Sequence, residues 1–291
     1  MSRSQFKYLD PEAIRRLASF EFAPKTVVEG YFAGRHRSRS RGSSTEFRDY
    51  RAYAPGDDLR AVDWRVLART DRAYLRTYDQ ETDLSCHIVL DGSASMGFGD
   101  GLTKIEYASF FAAALSYLVI RRQDRVSLTV FDEAIRHFLP PGGTRLHLHN
   151  ILHALEGCAP GGRTSVAASL RRAFPLMPQR GALVVVSDFY EEPGAVFEAL
   201  SPYLHRGFRV YLFHVLATEE LDIGDRGLLA YLDMETGERV LAHAAALRKA
   251  YGETVQSHIH GMRELAVRRG VSYTLARTDT HYFTLFDRFL E

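Results

Sequence analysis

Cysteine is almost missing from this chain: Cys86 and Cys158 are the only two in 291 residues, each among apolar or small neighbours and in no paired motif. That argues against a disulfide framework and predicts buried, reduced thiols in a reducing compartment. Long apolar runs are missing too. The longest candidate, Tyr107 to Ile120, is too short for a membrane span and reads as amphipathic. The opening MSRSQFKYLDPEAIRRL is too polar for a signal peptide. Charge of one sign is absent as well. Lys+Arg 37 against Asp+Glu 36 leaves +1, with no whole-chain pull toward nucleic acid or anionic membrane. No internal repeat occurs, and the only low-complexity stretch is a short Arg/Ser loop. These absences predict a cytoplasmic protein that does not engage a membrane. What is present is ordinary for a globular chain, 46% hydrophobic and 25% charged, and long enough to bury a sizeable core.

Two regions are expected. Residues 1–83 hold Asp10-Pro11-Glu12, which caps and opens a short helix through Ala18, then the basic loop Gly34 to Gly42. Strands are expected at Phe47–Tyr53 and Ala73–Tyr78, with a turn at Pro55-Gly56-Asp57-Asp58. This segment has too few apolar elements for a core of its own. Residues 84–291 alternate strands (86–90, 126–131, 135–139, 182–187, 208–215, 271–275) with helices (103–121, 145–156, 165–174, 195–204, 243–268). The pattern predicts an α/β fold with a doubly wound, mostly parallel sheet. A hairpin near 227–242, turning at Thr236-Gly237, is an insertion or an antiparallel edge, and an amphipathic helix at 281–290 closes the chain.

The chemistry concentrates at strand ends. The run His87-Ile-Val-Leu-Asp91-Gly-Ser93-Ala-Ser95-Met-Gly97 ends an apolar strand in one carboxylate, followed by hydroxyls at alternate positions. Open α/β sheets place ligands at the carboxyl ends of their strands. Gly161-Gly162-Arg163-Thr164 opens the helix starting near Ser165, and Val184-Val-Val-Ser187-Asp188 ends another strand in a carboxylate. Asp91, Ser93, Ser95, Thr164 and Asp188 can therefore meet above one sheet. Two carboxylates balance a divalent cation, and hydroxyls and water supply further hard oxygen donors. That set suits Mg²⁺ or Mn²⁺ and leaves a position for an outside oxygen. Thr144, after Gly142-Gly143, is a competing threonine, but it precedes the helix at 145–156 and lies far ahead of the Asp188 strand. Thr164 is preferred.

This ordered set resembles the metal-ion-dependent adhesion site (MIDAS) of von Willebrand factor A domains, pattern D-x-S-x-S…T…D. The resemblance implies that Ser93, Ser95 and Thr164 ligate the metal directly while Asp91 and Asp188 act partly through water. It also implies a partner protein that donates a carboxylate to the open position. Gly161 and Gly162 would let the Thr164 loop approach closely.

The N-terminal region carries a second resemblance. Arg37-Ser-Arg-Ser-Arg-Gly42, Glu46-Phe-Arg-Asp-Tyr-Arg-Ala-Tyr-Ala-Pro-Gly56-Asp57-Asp58, Val62-Asp63-Trp64 and Ala68-Arg69-Thr70 are similar to the signature of the bacterial "domain of unknown function 58" family. Leu221-Asp222 and Asp233 to Gly237 resemble that family's C-terminal part. The resemblance implies a von Willebrand A-like domain behind a family-specific segment, in the family's shorter soluble form without a membrane anchor. It further implies a MoxR-type AAA+ ATPase as partner, the pair acting in assembly or activation of other proteins. The expected role is non-enzymatic and chaperone-like.

Four rival readings are weaker. Ser93-Ala-Ser95-Met-Gly97 mimics a nucleophile elbow, and Asp188 with His214 or His281 would complete a serine hydrolase triad around Ser95. Ser93 stands where the elbow wants glycine, and Phe98 to Leu102 interrupts the turn into a helix. A phosphoryl-transfer site built on Asp91 would want a second carboxylate where Ser93 stands. Arg35, Arg37, Arg39 and Arg41 could track phosphates, but no aromatic side chains interleave with them. Pairing with Asp49, Asp57, Asp58 and Asp63 is preferred over nucleic-acid binding. His149 and His153, one helical turn apart, have no acidic neighbour to make a zinc site.

Overall fold

The computed structural model describes residues 7–9, 13–15, 45–53, 62–70, 72–80, 85–163, 165–223, 227–232, 234, 237 and 239–289. The chain divides into two compact units, Met1–Glu29 with Leu84–Glu291, and Gly30–Asp83. Lys7 and Tyr8 belong to the larger unit. Their contacts tie them into it. The Lys7 ammonium donates to Glu106 at 2.6 Å, its backbone N–H donates to Glu156, and Tyr8 packs edge-on against Phe110 with ring centroids 5.0 Å apart.

In the smaller unit, β1 (Thr45–Ala52) and β2 (Tyr74–Gln80) form an antiparallel ribbon with a register shift between Phe47 and Asp49. Between them lies a short helix absent from the sequence reading, α1 (Trp64–Thr70). Asp63 starts it by accepting the backbone N–H of Arg65 at 3.0 Å, the geometry of an N-cap. The Arg loop of 34–42 and its proposed partners Asp57 and Asp58 lie outside the described residues.

The larger unit is a mixed six-stranded sheet flanked by helices, the expected doubly wound, mostly parallel α/β architecture. Its strands are β3 (Ser85–Asp91), β4 (Arg125–Phe131), β5 (Ile135–Gly142), β6 (Gly181–Ser187), β7 (Arg209–Leu216) and β10 (Ser272–Arg277), in the order β10-β7-β6-β3-β4-β5. All neighbours pair in parallel except β5, which runs antiparallel to β4 at the edge. The chain builds from β3 outward through β4 and β5, then returns to the other side of β3 with β6 and continues outward. The order therefore reverses between β3 and β6. A cleft opens above the carboxyl ends of two strands at such a reversal, because their connections leave in opposite directions.

Two cores sandwich the sheet, divided by the alternation of side chains along each strand. Ile88, Leu90, Val184 and Val186 point into one core with α2 (Lys104–Arg121) and α3 (Arg145–Glu156). Val89, Leu183 and Val185 point into the other with α4 (Val166–Ala173), α5 (Pro193–Arg206) and α7 (Ala244–Arg269). The stretch Tyr107–Ile120 was expected to be amphipathic, yet α2 is buried on almost every side. Sheet strands cover one flank, while Tyr8, α3 and the C-terminal segment cover the other. That C-terminal segment, expected as a helix over 281–290, is a 3₁₀ helix at Tyr282–Phe289. Three residues per turn stack Phe283 and Phe286 on one side, and both are buried. Among the described residues β8 (Leu228–Leu232) and β9 (Arg239–His243) pair only with each other, as a two-stranded antiparallel ribbon separate from the six-stranded sheet. A short helix, α6 (Thr218–Leu221), follows β7. Among the described residues no helix is long and apolar enough to cross a membrane.

Candidate metal centre

β3 is buried along its whole length as a central parallel strand, and it delivers Asp91 to the reversal point. Beyond it the chain turns back on the carboxylate. Ser93 N–H donates to Asp91 Oδ1 at 2.9 Å, and residues Ala94–Gly97 wind into a 3₁₀ turn. This turn sets the hydroxyls of Ser93 and Ser95 3.1 Å apart. Across the cleft, Ser187 at the end of β6 donates its hydroxyl to Asp91 Oδ2 at 2.6 Å and accepts Phe189 N–H at 3.0 Å. Phe189 has φ +48, a left-handed conformation that a side chain adopts only when its surroundings enforce it. Here Ser187 holds its N–H and His258 Nε2 donates to its carbonyl at 3.0 Å. The bend directly follows Asp188.

Asp188 is wholly buried, and Lys104 Nζ donates to its Oδ2 at 2.7 Å. Its other oxygen, Oδ1, is buried with no hydrogen-bond partner. Lys104 is itself fully buried and also donates to Glu220 Oε1 at 2.6 Å. Burial works to strip the Lys104 proton, but the charges and hydrogen bonds of Asp188 and Glu220 prevail and hold its pKa above the ordinary lysine value. Burial, and then the charge of Asp188, push Asp91 up to about 6 against the hydrogen bonds from Ser187 and Ser93. Burial likewise raises Glu220, opposed by Lys104.

Thr164 lies outside the described residues, but the loop that carries it is stitched to the β3 turn. Gly161 N–H donates to Gly92 O and Ala94 N–H donates to Gly162 O, both at 3.0 Å. Arg136 clamps the same junction by donating from Nη1 to Gly92 O at 3.1 Å and Ala159 O at 2.8 Å. The rival Thr144 is committed elsewhere, since its hydroxyl caps α3 by accepting His147 N–H at 3.1 Å.

Four of the five anticipated residues, Asp91, Ser93, Ser95 and Asp188, thus come together at the two strand ends. Among the described residues no group of three His, Cys, Asp or Glu side chains could hold a metal, so a cation here must rely on hydroxyls as much as carboxylates. The geometry fits that demand. Adjacent oxygens around an octahedral Mg²⁺, each roughly 2.0–2.1 Å from the metal, stand about 2.9 Å from each other. The two serine oxygens, at 3.1 Å, are close to that spacing. A buried carboxylate oxygen without a donor is costly unless a cation meets it.

Three contributors escaped the sequence reading: Ser187, Lys104 and Glu220. Lys104 had a faint signal. A lysine in the first turn of a helix opposes the helix dipole, and one followed by so apolar a helix needs a buried anion to hold it. Glu220 left none.

The chain matches the family described as "Protein of unknown function DUF58" over residues 49–261, and it belongs to that family. Uncharacterized proteins of Mycobacterium tuberculosis and Mycobacterium bovis are each 27% identical to it over 286 residues, covering 97% of this chain and 90% of the relative. Among solved structures, it is similar to the conserved hypothetical protein BatB from Bacteroides thetaiotaomicron, with a TM-score of 0.50, 19% identity, and coverage of 70% of this chain and 96% of that one. An aerotolerance-related membrane protein from Bacteroides fragilis matches with the same score and identity, over 71% and 96% of the two chains. The von Willebrand A domain of SpRpn10 matches at a TM-score of 0.45 and 11% identity, over 70% and 94%. Likeness at these identities speaks to fold alone.

Proposed function

We infer that this chain is a non-enzymatic protein-interaction module whose docking depends on a divalent metal, Mg²⁺ or Mn²⁺. Ser93, Ser95 and Thr164 hold the ion directly, Asp91 and Asp188 act partly through water, and a partner protein supplies a carboxylate to the open position. The observation that carries this reading is the unpartnered, buried Asp188 Oδ1 at the same strand reversal as the paired serine hydroxyls. The bound ion supplies positive charge and an open coordination position. The chain's own residues supply the frame, with Ser187 and the Ser93 N–H fixing Asp91, and Arg136 holding the Thr164 loop against β3.

The rim favours a protein partner. Phe98 directly follows the serine turn, and Tyr190 stands two residues beyond Asp188 with the Lys104 ammonium 5.0 Å from its ring. Met234 of the hairpin insertion lies beside Gly97. All three are exposed, and apolar side chains around a polar centre are what a protein interface uses. The hydrolase alternative finds less support. Ser95 Oγ is bonded to Ser93, whereas His214 Nδ1 is bonded to the Tyr273 hydroxyl at 2.8 Å and burial pulls its imidazole down to about 3. By family resemblance the partner is a MoxR-type AAA+ ATPase, and the site of action is cytoplasmic.

Partner capture from native lysate by the wild-type chain, in Mg²⁺ and in chelator, beside Thr164→Ala, tests this. A partner retained only by wild type with Mg²⁺ supports the reading. Equal capture in all three overturns it.

A further inference from the structure

We propose that Lys104 is a positioning residue for the metal: its ammonium occupies Asp188 Oδ2 so that Oδ1 alone faces the ion, and Glu220 holds the ammonium in place. The inference rests on the metal reading above. The three side chains lie almost wholly in the interior, and the lysine makes two short bonds, 2.7 Å to Asp188 and 2.6 Å to Glu220. Glu220 is anchored in turn, because its second oxygen accepts the Ala217 N–H at 2.8 Å and so closes the start of α6. Asp188 is therefore gripped at one oxygen by a chain of contacts running from α6 through the first residue of α2. Its other oxygen is left without a donor.

A carboxylate free to rotate could present either oxygen, or both, to a cation. One held by a buried ammonium presents a single oxygen in one orientation. The lysine and the glutamate carry opposite charges, so the pair fixes the carboxylate without adding net charge to the site. That neutrality separates positioning from simple electrostatics. Removing both partners leaves the charge of the site as it was and removes only the grip.

The test is Mn²⁺ binding by the full chain, measured by calorimetry, for wild type and for the double variant Lys104→Met/Glu220→Gln. Groups that orient a metal ligand through a hydrogen bond are worth roughly 10–100-fold in metal affinity, and a loss of that size in the folded double variant is expected. Affinity within about twofold of wild type, or higher, overturns the proposal and leaves the metal reading standing. A wild-type chain that binds no metal overturns both. Should the double variant not fold, ¹⁵N-lysine spectra of the wild-type chain decide. A protected Lys104 ammonium signal that persists and shifts on adding Mg²⁺ supports the grip on Asp188, and its disappearance on adding Mg²⁺ overturns it.

Discussion

Ser187 Oγ donates to Asp91 Oδ2 at 2.6 Å, which ties the ends of β6 and β3 together across the reversal of the sheet. The bond does two jobs, since the same hydroxyl accepts Phe189 N–H and so holds the bend that follows Asp188. Ser187→Ala removes one hydrogen-bond donor from the buried Asp91 carboxylate. A loss of ~1–3 kcal/mol in urea unfolding is expected, together with weaker Mn²⁺ binding. A variant as stable as wild type would show that water or another donor replaces the hydroxyl.

Asp91→Asn keeps the size of the side chain and an oxygen able to accept the Ser93 N–H. The fold should survive while cation binding is lost. Thermal unfolding with and without Mg²⁺ separates the two effects. Wild type should gain stability as RT ln(1 + [L]/Kd) with rising Mg²⁺, and the variant should show a flat response. A Mg²⁺-dependent rise equal to that of wild type would remove Asp91 from the site.

The strands and helices of the larger unit were legible because parallel strands buried on both faces read as unbroken apolar runs, as Ala182 to Val186 does. Asp91 and Asp188 were legible because each closes such a run, and the strand order then places both at one reversal. The Lys104–Glu220 contact was not, because residues 116 positions apart leave no periodic trace in a single sequence. The packing of the half-buried Phe110 against Tyr8 and Tyr282 was hidden for the same reason, so α2 looked amphipathic. The 3₁₀ winding of Tyr282–Phe289 was missed because its aromatic spacing suits an α-helix nearly as well. Thr164 and the Arg35–Arg41 loop lie outside the described residues.

Gly162 has φ +74, and a Cβ there would meet Asp132 Oδ2 at 2.9 Å. Its carbonyl accepts the Ala94 N–H, so any shift of this residue pulls on the serine turn. Gly162→Ala should cost ~1–2 kcal/mol from left-handed strain and should weaken metal binding. Gly207 offers the control, since it has φ +87 at the end of α5 with nothing within 4 Å of an added Cβ. Gly207→Ala should cost similar stability in urea unfolding and leave Mn²⁺ affinity unchanged. Equal metal affinity in both variants would show that the Thr164 loop does not govern the site.

His87 links the strand that carries the site to the acid stability of the fold. It is buried in β3, bonded through Nδ1 to Ser127 Oγ at 2.8 Å and packed against Phe208, and burial pulls its pKa down to about 4 from 6.5. Above ~6.5 the imidazole is neutral in both folded and unfolded chains, and its contribution to stability is fully present. As pH falls from there toward 4, the unfolded chain takes up a proton that the folded chain refuses, so stability drops by at most about 1.4 kcal/mol per pH unit. Below 4 both states are protonated and this loss levels off. His87→Asn removes the titrating group while keeping a polar partner for Ser127. Urea unfolding at pH 7 and at pH 5 should show a smaller drop for the variant than for wild type. Equal drops would mean that other groups, not His87, set the acid limit of this fold.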